Sequence, residues 1–160
     1  MARYSNSSEA KLDTAVVFLQ TVFRFVIQFY DNTIIEGHRS IAKQLEYFNA
    51  IPQRTKVKFG RHNPEPSEAI DSAPYLPGRG IPWPQVPKNW NDKTQRDGYI
   101  KDLCQFYHYG GFVEGVASMT PGGILRYGGD WDRDNNIQDQ TFNDLVHFEV
   151  VSTTDTTRQA

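Results

Sequence analysis

Apolar residues recur at steps of three and four from Leu12 through Val16, Leu19, Phe23, Val26 and Ile27, which predicts one face of a helix running to about Tyr30. Ser7 and Ser8 ahead of Glu9 supply helix-start chemistry. After a turn at Asp31 and Asn32, residues 33–36 read as a short strand that ends at Gly37-His38-Arg39. Ser40 then caps a second helix over residues 41–49, expected to bury Leu45, Tyr47 and Phe48. Residues 51–61 form a basic loop, with Lys56, Lys58 and Arg61 among Val57 and Phe59, and Pro64-Glu65-Pro66 excludes regular structure. Residues 69–73 are the next strand. Residues 76–90 hold Pro77, Pro82, Pro84 and Pro87, and read as a long ordered loop with Trp83 and Trp90 to bury. The longest helical stretch is 93–119, where Gly110, Gly111 and Gly115 permit close packing at a propensity cost of ~1 kcal/mol each. Residues 124–127 make a strand, 128–141 a polar loop, and a last strand runs to Val151. This order predicts an α+β fold, a small antiparallel sheet packed with two or three helices, in one domain over residues 1–151. Residues 152–160 are a polar tail with no reason to be ordered.

The last strand is mixed in a way packing alone does not ask for. Leu145, Val146, Phe148, Val150 and Val151 are residues of a buried strand, yet Asp144, His147 and Glu149 are set among them. Burying a polar group without a partner costs roughly 2–7 kcal/mol. Strand side chains alternate, so His147 and Glu149 point to one face and Val146 and Phe148 to the other. Asp144 can approach the same place from a turn. Taken alone, these residues read more readily as a core histidine beside a surface aspartate than as a metal or proton-transfer site.

Composition narrows the classes. A chain of 160 residues builds one domain with a real core, and 10 Phe, 8 Tyr and 3 Trp are not the make-up of a disordered chain. A formal charge of −2 gives no electrostatic case for nucleic acid or an anionic membrane as main partner. The lone cysteine, Cys104, excludes an internal disulfide and a multi-cysteine zinc knot; its amphipathic surroundings predict a buried thiol. Gln20, Arg24 and Gln28 break the first apolar run, so neither a membrane span nor a signal peptide is expected, and the product is expected to be a cytosolic monomer.

A catalytic zinc needs three protein donors and an open position. His62, Asp71 and His147 are the trio whose settings make the least sense as packing, although His62 alone reads as a solvated loop histidine and Asp71 as a strand-end cap. His38 and His108 read as structural. Four strings then stand in a familiar order: Gly37-His38-Arg39-Ser40, His62 through Ser67-Glu68-Ala69-Ile70-Asp71, Gly128-Gly129-Asp130-Trp131, and Asp144-Leu145-Val146-His147-Phe148-Glu149. From residue 33 to 150 the chain resembles the peptidoglycan zinc peptidases, which include D-alanyl-D-alanine carboxypeptidases, and looks most like their phage L-alanyl-D-glutamate endolysin branch. The resemblance implies zinc on the sheet face held by His62, Asp71 and His147, with Asp144 as general base. It also implies that Arg39 steadies the substrate carbonyl. Glu149 is then a carboxylate that orients a ligand or meets the substrate amine, or a solvent-facing strand residue with no role. Trp131 is a wall of the substrate groove or plain loop packing. The chain departs from the pattern in a longer His62-to-Asp71 interval containing Pro64 and Pro66, in Gly60 where serine is common, and in Val146 where proline is common. These departures bear on the rim of the pocket and leave the ligands in place.

Asp130, Asp132 and Asp134, with Ile137 at the eighth place, begin a loop as a calcium site does, but Asn135 and Thr141 stand where glycine and glutamate are usual. A solvated acidic loop is the other reading. The expected function is a zinc endopeptidase cutting the L-Ala–D-Glu bond of the peptidoglycan stem peptide. Such a phage-type lysis enzyme is made in the host cytoplasm and acts on the wall once the membrane is breached. Two alternatives stay open. A carboxypeptidase or dipeptidase with the same chemistry requires Arg54, Lys56 or Arg61 to face the pocket, and a catalytically silent wall-binding module requires no zinc.

Overall fold

The apolar faces expected from the sequence converge on one side of a four-stranded sheet. The computed structural model describes residues 2–151, so the polar tail at 152–160 lies outside the described residues. In chain order the elements are α1 (Asn6–Leu12), α2 (Val17–Val26), β1 (Asn32–Glu36), α3 (Ile41–Asn49), β2 (Ala69–Pro74), α4 (Lys93–Ser118), β3 (Ile124–Tyr127) and β4 (His147–Val151). The sheet has the order β1-β2-β4-β3 and every neighbouring pair is antiparallel, an α+β architecture. No helix among the described residues is long and apolar enough to cross a membrane.

The core lies between the sheet and helices α2 and α4. Phe148, the centre of β4, is fully buried, with the rings of Phe23 at 5.4 Å, Tyr109 at 5.8 Å and Tyr127 at 4.9 Å. Removing such a ring costs about 3–5 kcal/mol, so this contact holds the strand that carries His147 and Glu149. Because the alternation is strict, burying Phe148 against the helices turns its two neighbours to the opposite face.

Several sequence expectations change in the fold. The helix expected from Leu12 to Tyr30 is two helices. Between them Ser67 N–H bonds to the Thr14 carbonyl at 2.8 Å and Val16 N–H to the Ser67 carbonyl at 2.9 Å, a bridge that a continuous helix cannot make. The apolar spacing survives because α1 and α2 both face the same core. Helix α3 does not bury Leu45, which is 39% exposed; the buried residue is Gln44, whose amide donates to the Val57 carbonyl at 2.7 Å. Cys104 is exposed, since Tyr109 and Val113 occupy the inward side of α4 and position 104 falls opposite them. Trp83 and Trp90 stay half exposed against Phe106 and Tyr99, while an Arg79–Asp102 ion pair at 2.7 and 2.5 Å holds the 76–90 loop. Of the four glycines in α4 only Gly110 serves close packing, where a Cβ would overlap the Tyr127 ring. The last strand begins at His147, because Leu145 and Val146 form the turn before it.

Candidate metal centre

Strand register does most of the assembly. Asp71 on β2 lies directly opposite His147 on β4, and Glu149 lies opposite both Ala69 and Arg126 of β3. Antiparallel partners project to the same face, so Asp71, His147, Glu149 and Arg126 share the side away from the helices. His62 comes from a loop: the backbone of Arg39 donates to its carbonyl at 2.8 Å, and its own Nδ1 donates to the Gly37 carbonyl at 2.8 Å. That second bond puts the hydrogen on Nδ1 and leaves Nε2 as an acceptor.

Three donor atoms meet there. His62 Nε2 lies 3.1 Å from Asp71 Oδ1 and 3.3 Å from His147 Nδ1, and His147 Nδ1 lies 3.1 Å from the same Asp71 oxygen. Donors bound at about 2.0–2.1 Å to one tetrahedral ion stand roughly 3.3 Å apart. The spacing fits. The donor chemistry fits as well, because His147 Nε2 donates to Glu149 Oε2 at 3.0 Å, which directs the other ring nitrogen inward as a lone pair. Two imidazole lone pairs and a carboxylate oxygen therefore point at one place, a set that can bind a metal ion. In competition with a metal stands a proton. Burial opposes charge on His147, but Asp71 and Glu149 outweigh it and bring its pKa to about 10. Burial acts against the Asp71 anion too, yet His147 and His62 hold it well below the usual carboxylate range.

Glu149 is buried at 4% exposure, which removes the reading of a solvent-facing strand residue. Arg126 grips it, with Nε 2.8 Å from Oε1 and the NH2 group on the same oxygen. Desolvation raises its pKa, but His147 and Arg126 prevail and hold it at about 2. Arg126, Glu149 and His147 thus form one chain of charge-assisted bonds that sets the plane of the imidazole. Arg126 was not singled out in the sequence; its position opposite Glu149 becomes meaningful only once the pairing of β3 with β4 is known.

Asp144 enters from the turn before β4. Its N–H bonds to the Gly128 carbonyl at 2.7 Å, its carbonyl accepts from His147 N–H at 3.0 Å, and its carboxylate accepts from the Val146 backbone. Gly128 is required, since a Cβ there would overlap the Asp144 carbonyl oxygen. Burial, followed by the nearby charge of Asp71, raises the Asp144 pKa, the direction that suits a proton acceptor. Arg39 reaches the same cavity already engaged by Glu36 and by Gln44 at 3.0 Å, with Asp71 at 3.5 Å. Four of its five N–H groups are used, leaving one on NH1. Glu36 and Gln44, both missed in the sequence, answer how a cation is tolerated at the start of α3.

The groove over these groups has a volume of about 800 Å³. Trp131 forms part of its wall, stacked on His147 at 5.6 Å and on Phe142 at 6.0 Å, with its indole N–H on the Phe142 carbonyl. Arg54, Lys56 and Arg61 line it too, the condition set for a carboxypeptidase, with Arg61 also paired to Glu68 at 2.8 Å. A second group of acids lies on the loop that carries Trp131. Asp130, Asp132 and Asp134 each bring an oxygen within 4.8 Å of the others. Asp130 is 3% exposed; its Oδ2 accepts from Asn135 N–H at 3.0 Å, and its Oδ1 has no hydrogen-bond partner among the described residues. Asn135, where calcium loops usually have glycine, adopts a φ of 68°, a conformation asparagine tolerates.

No protein-family model matches this chain, and no curated protein does. Its fold is similar to that of the Serratia marcescens L-Ala D-Glu endopeptidase ChiX, with a TM-score of 0.61 and 21% identity over 93% of this chain and 90% of that one. At that identity the likeness is one of fold, and it extends over nearly the whole of both chains.

Proposed function

We propose that the protein is a zinc-dependent endopeptidase that hydrolyses the stem peptide of bacterial peptidoglycan at the L-Ala–D-Glu bond, as a phage-type endolysin does. The observation that carries this reading is the tetrahedral spacing of His62, Asp71 and His147 beside Asp144, at the floor of one groove. When bound, zinc supplies Lewis acidity to the scissile carbonyl and acidifies the attacking water. Asp144 accepts a proton from that water as it adds to the carbonyl carbon, then delivers it to the amine as the C–N bond breaks. The remaining N–H of Arg39 is the donor for the carbonyl oxygen as charge develops there. Glu149, braced by Arg126, keeps His147 in its ligating orientation. Trp131 and Phe142 give the peptide an apolar wall.

A second ion, calcium, belongs to this reading at Asp130, Asp132 and Asp134. It is supported by the unpartnered Oδ1 of a buried Asp130, and would brace the loop that seats Trp131 on His147.

The carboxypeptidase alternative is favoured by one observation, that Arg54, Lys56 and Arg61 all line the groove. The endopeptidase reading is preferred because the fold is shared with an L-Ala D-Glu endopeptidase and because a groove of about 800 Å³ accommodates residues on both sides of a bond. A silent binding module needs neither the converging donors nor Asp144. The test is digestion of purified peptidoglycan by wild type and Asp144→Asn, each with and without chelator, read by mass. New amino-terminal D-glutamate from wild type alone, abolished by chelator, is the expected result. Release of free D-alanine would support the carboxypeptidase, and equal products from Asp144→Asn would overturn the role of Asp144.

A further inference from the structure

The cationic side chains of the groove divide into two kinds. Arg39 is held by Glu36 and Asp71, Arg61 by Glu68, and Arg126 by Glu149. Arg54 and Lys56 line the same groove and form no ion pair with any described residue. Each is instead seated on a ring: the Arg54 guanidinium carbon lies 3.8 Å from the centroid of Tyr47, and Lys56 Nζ lies 5.6 Å from that of Phe142. A ring face steadies a cation without using its N–H donors, which stay available to an anion.

Unpaired surface cations are common and most do nothing. The setting separates these two. Phe142 stacks on Trp131, and Trp131 stacks on His147, so Lys56 is joined to a metal ligand by a continuous run of rings. Tyr47, which carries Arg54, also has the Arg39 guanidinium 5.1 Å from its centroid, so Arg54 is joined to the site by a second ring. Of the acids that line the groove, Glu36, Asp71 and Glu149 are each engaged by a cation or a histidine and Asp144 by the Val146 backbone, so no acid of the groove neutralises Arg54 or Lys56.

We infer that Arg54 and Lys56 form a carboxylate subsite that selects peptides carrying a free carboxylate close to the scissile bond; this rests on the peptidase reading above. Two parts of a stem peptide offer that chemistry. A D-glutamate joined onward through its side chain keeps a free α-carboxylate, and the chain end keeps its terminal one. The subsite binds either source by the same charge-assisted hydrogen bonds, with Arg54 able to grip both oxygens as a fork.

The experiment uses the zinc-loaded wild type, Arg54→Gln, Lys56→Gln and the double variant, with three synthetic stem peptides. One has all carboxylates free, one has the D-glutamate α-carboxylate amidated, and one has the terminal carboxylate amidated. Both residues are exposed, so the variants should melt with the wild type. Amidation at one of the two positions is expected to raise KM about tenfold in the wild type with kcat unchanged, and to have no effect in the double variant. The position that responds names the source. A wild type indifferent to both amidations, or a double variant that keeps the preference, overturns the subsite. Should none of the peptides be cut, the peptidase reading falls, and calorimetric binding of the same three peptides decides the subsite alone. A carboxylate preference lost in the double variant supports it, and equal or absent binding overturns it.

Discussion

Glu114, on the flank of α4 that shares a cavity with Asp130, offers a measurable link between the acidic loop and stability. Burial, followed by the nearby charge of Asp130, raises its pKa from an ordinary 4.5 to about 7. A carboxyl raised in the folded state binds its proton more tightly folded than unfolded. Its contribution is therefore most favourable below 4.5 and is lost as pH rises towards 7. At about 1.36 kcal/mol per tenfold change in proton affinity, the ceiling is roughly 3 kcal/mol, and solvent at a partly exposed side chain brings this to about 2 kcal/mol. Glu114→Gln removes the titration. In chelator, urea unfolding should show the variant gaining about 2 kcal/mol on the wild type between pH 4.5 and pH 8, or roughly 4–8 °C in melting temperature. Calcium bound beside Asp130 favours the ionised Glu114, so millimolar calcium should shrink the difference at pH 8. Parallel wild-type and variant curves in chelator across that range would refute the account of Glu114. An unchanged difference on adding calcium would refute the proposed ion.

Removing zinc should destabilise the folded chain, because an ion held by donors that converge only in the folded state stabilises that state by mass action. Free zinc at a hundredfold excess over its dissociation constant is worth about 2.7 kcal/mol, read as a fall in melting temperature with chelator, and an unchanged melt would count against the site. Glu149→Gln should weaken zinc binding by about 10–100-fold in competition with a chromophoric chelator, since the charge that orients His147 is gone while the amide keeps the shape. Equal affinity would assign Glu149 to packing alone. Gly128→Ala should cost about 1–3 kcal/mol in urea unfolding, because the new Cβ overlaps the carbonyl of Asp144. It should also slow peptide hydrolysis by displacing that turn, and a variant equal in both respects would show that Gly128 does not hold Asp144 in place.

The sequence alone carried the element order, because apolar spacing is a local record of which face each segment buries. It also singled out His62, Asp71 and His147, since polar groups in apolar settings are costly enough to need a reason. It located Asp144 in the approach to β4 for the same reason. Local spacing could not say that the first helix breaks at residues 13–16, because the break is made by Ser67, far away in the chain. Nor could it say that Gln44 rather than Leu45 is buried, since α3 lies over the groove and satisfies Arg39 and Val57 instead of a core. Arg126, Glu36 and the ring-seated pair Arg54 and Lys56 gained meaning only from strand register and loop placement, which are set by long-range pairing. The metal donors could be guessed one at a time from residue type. Their 3.1–3.3 Å spacing is a property of the fold, because β2, β4 and the loop at His62 must be brought together before any distance between them exists.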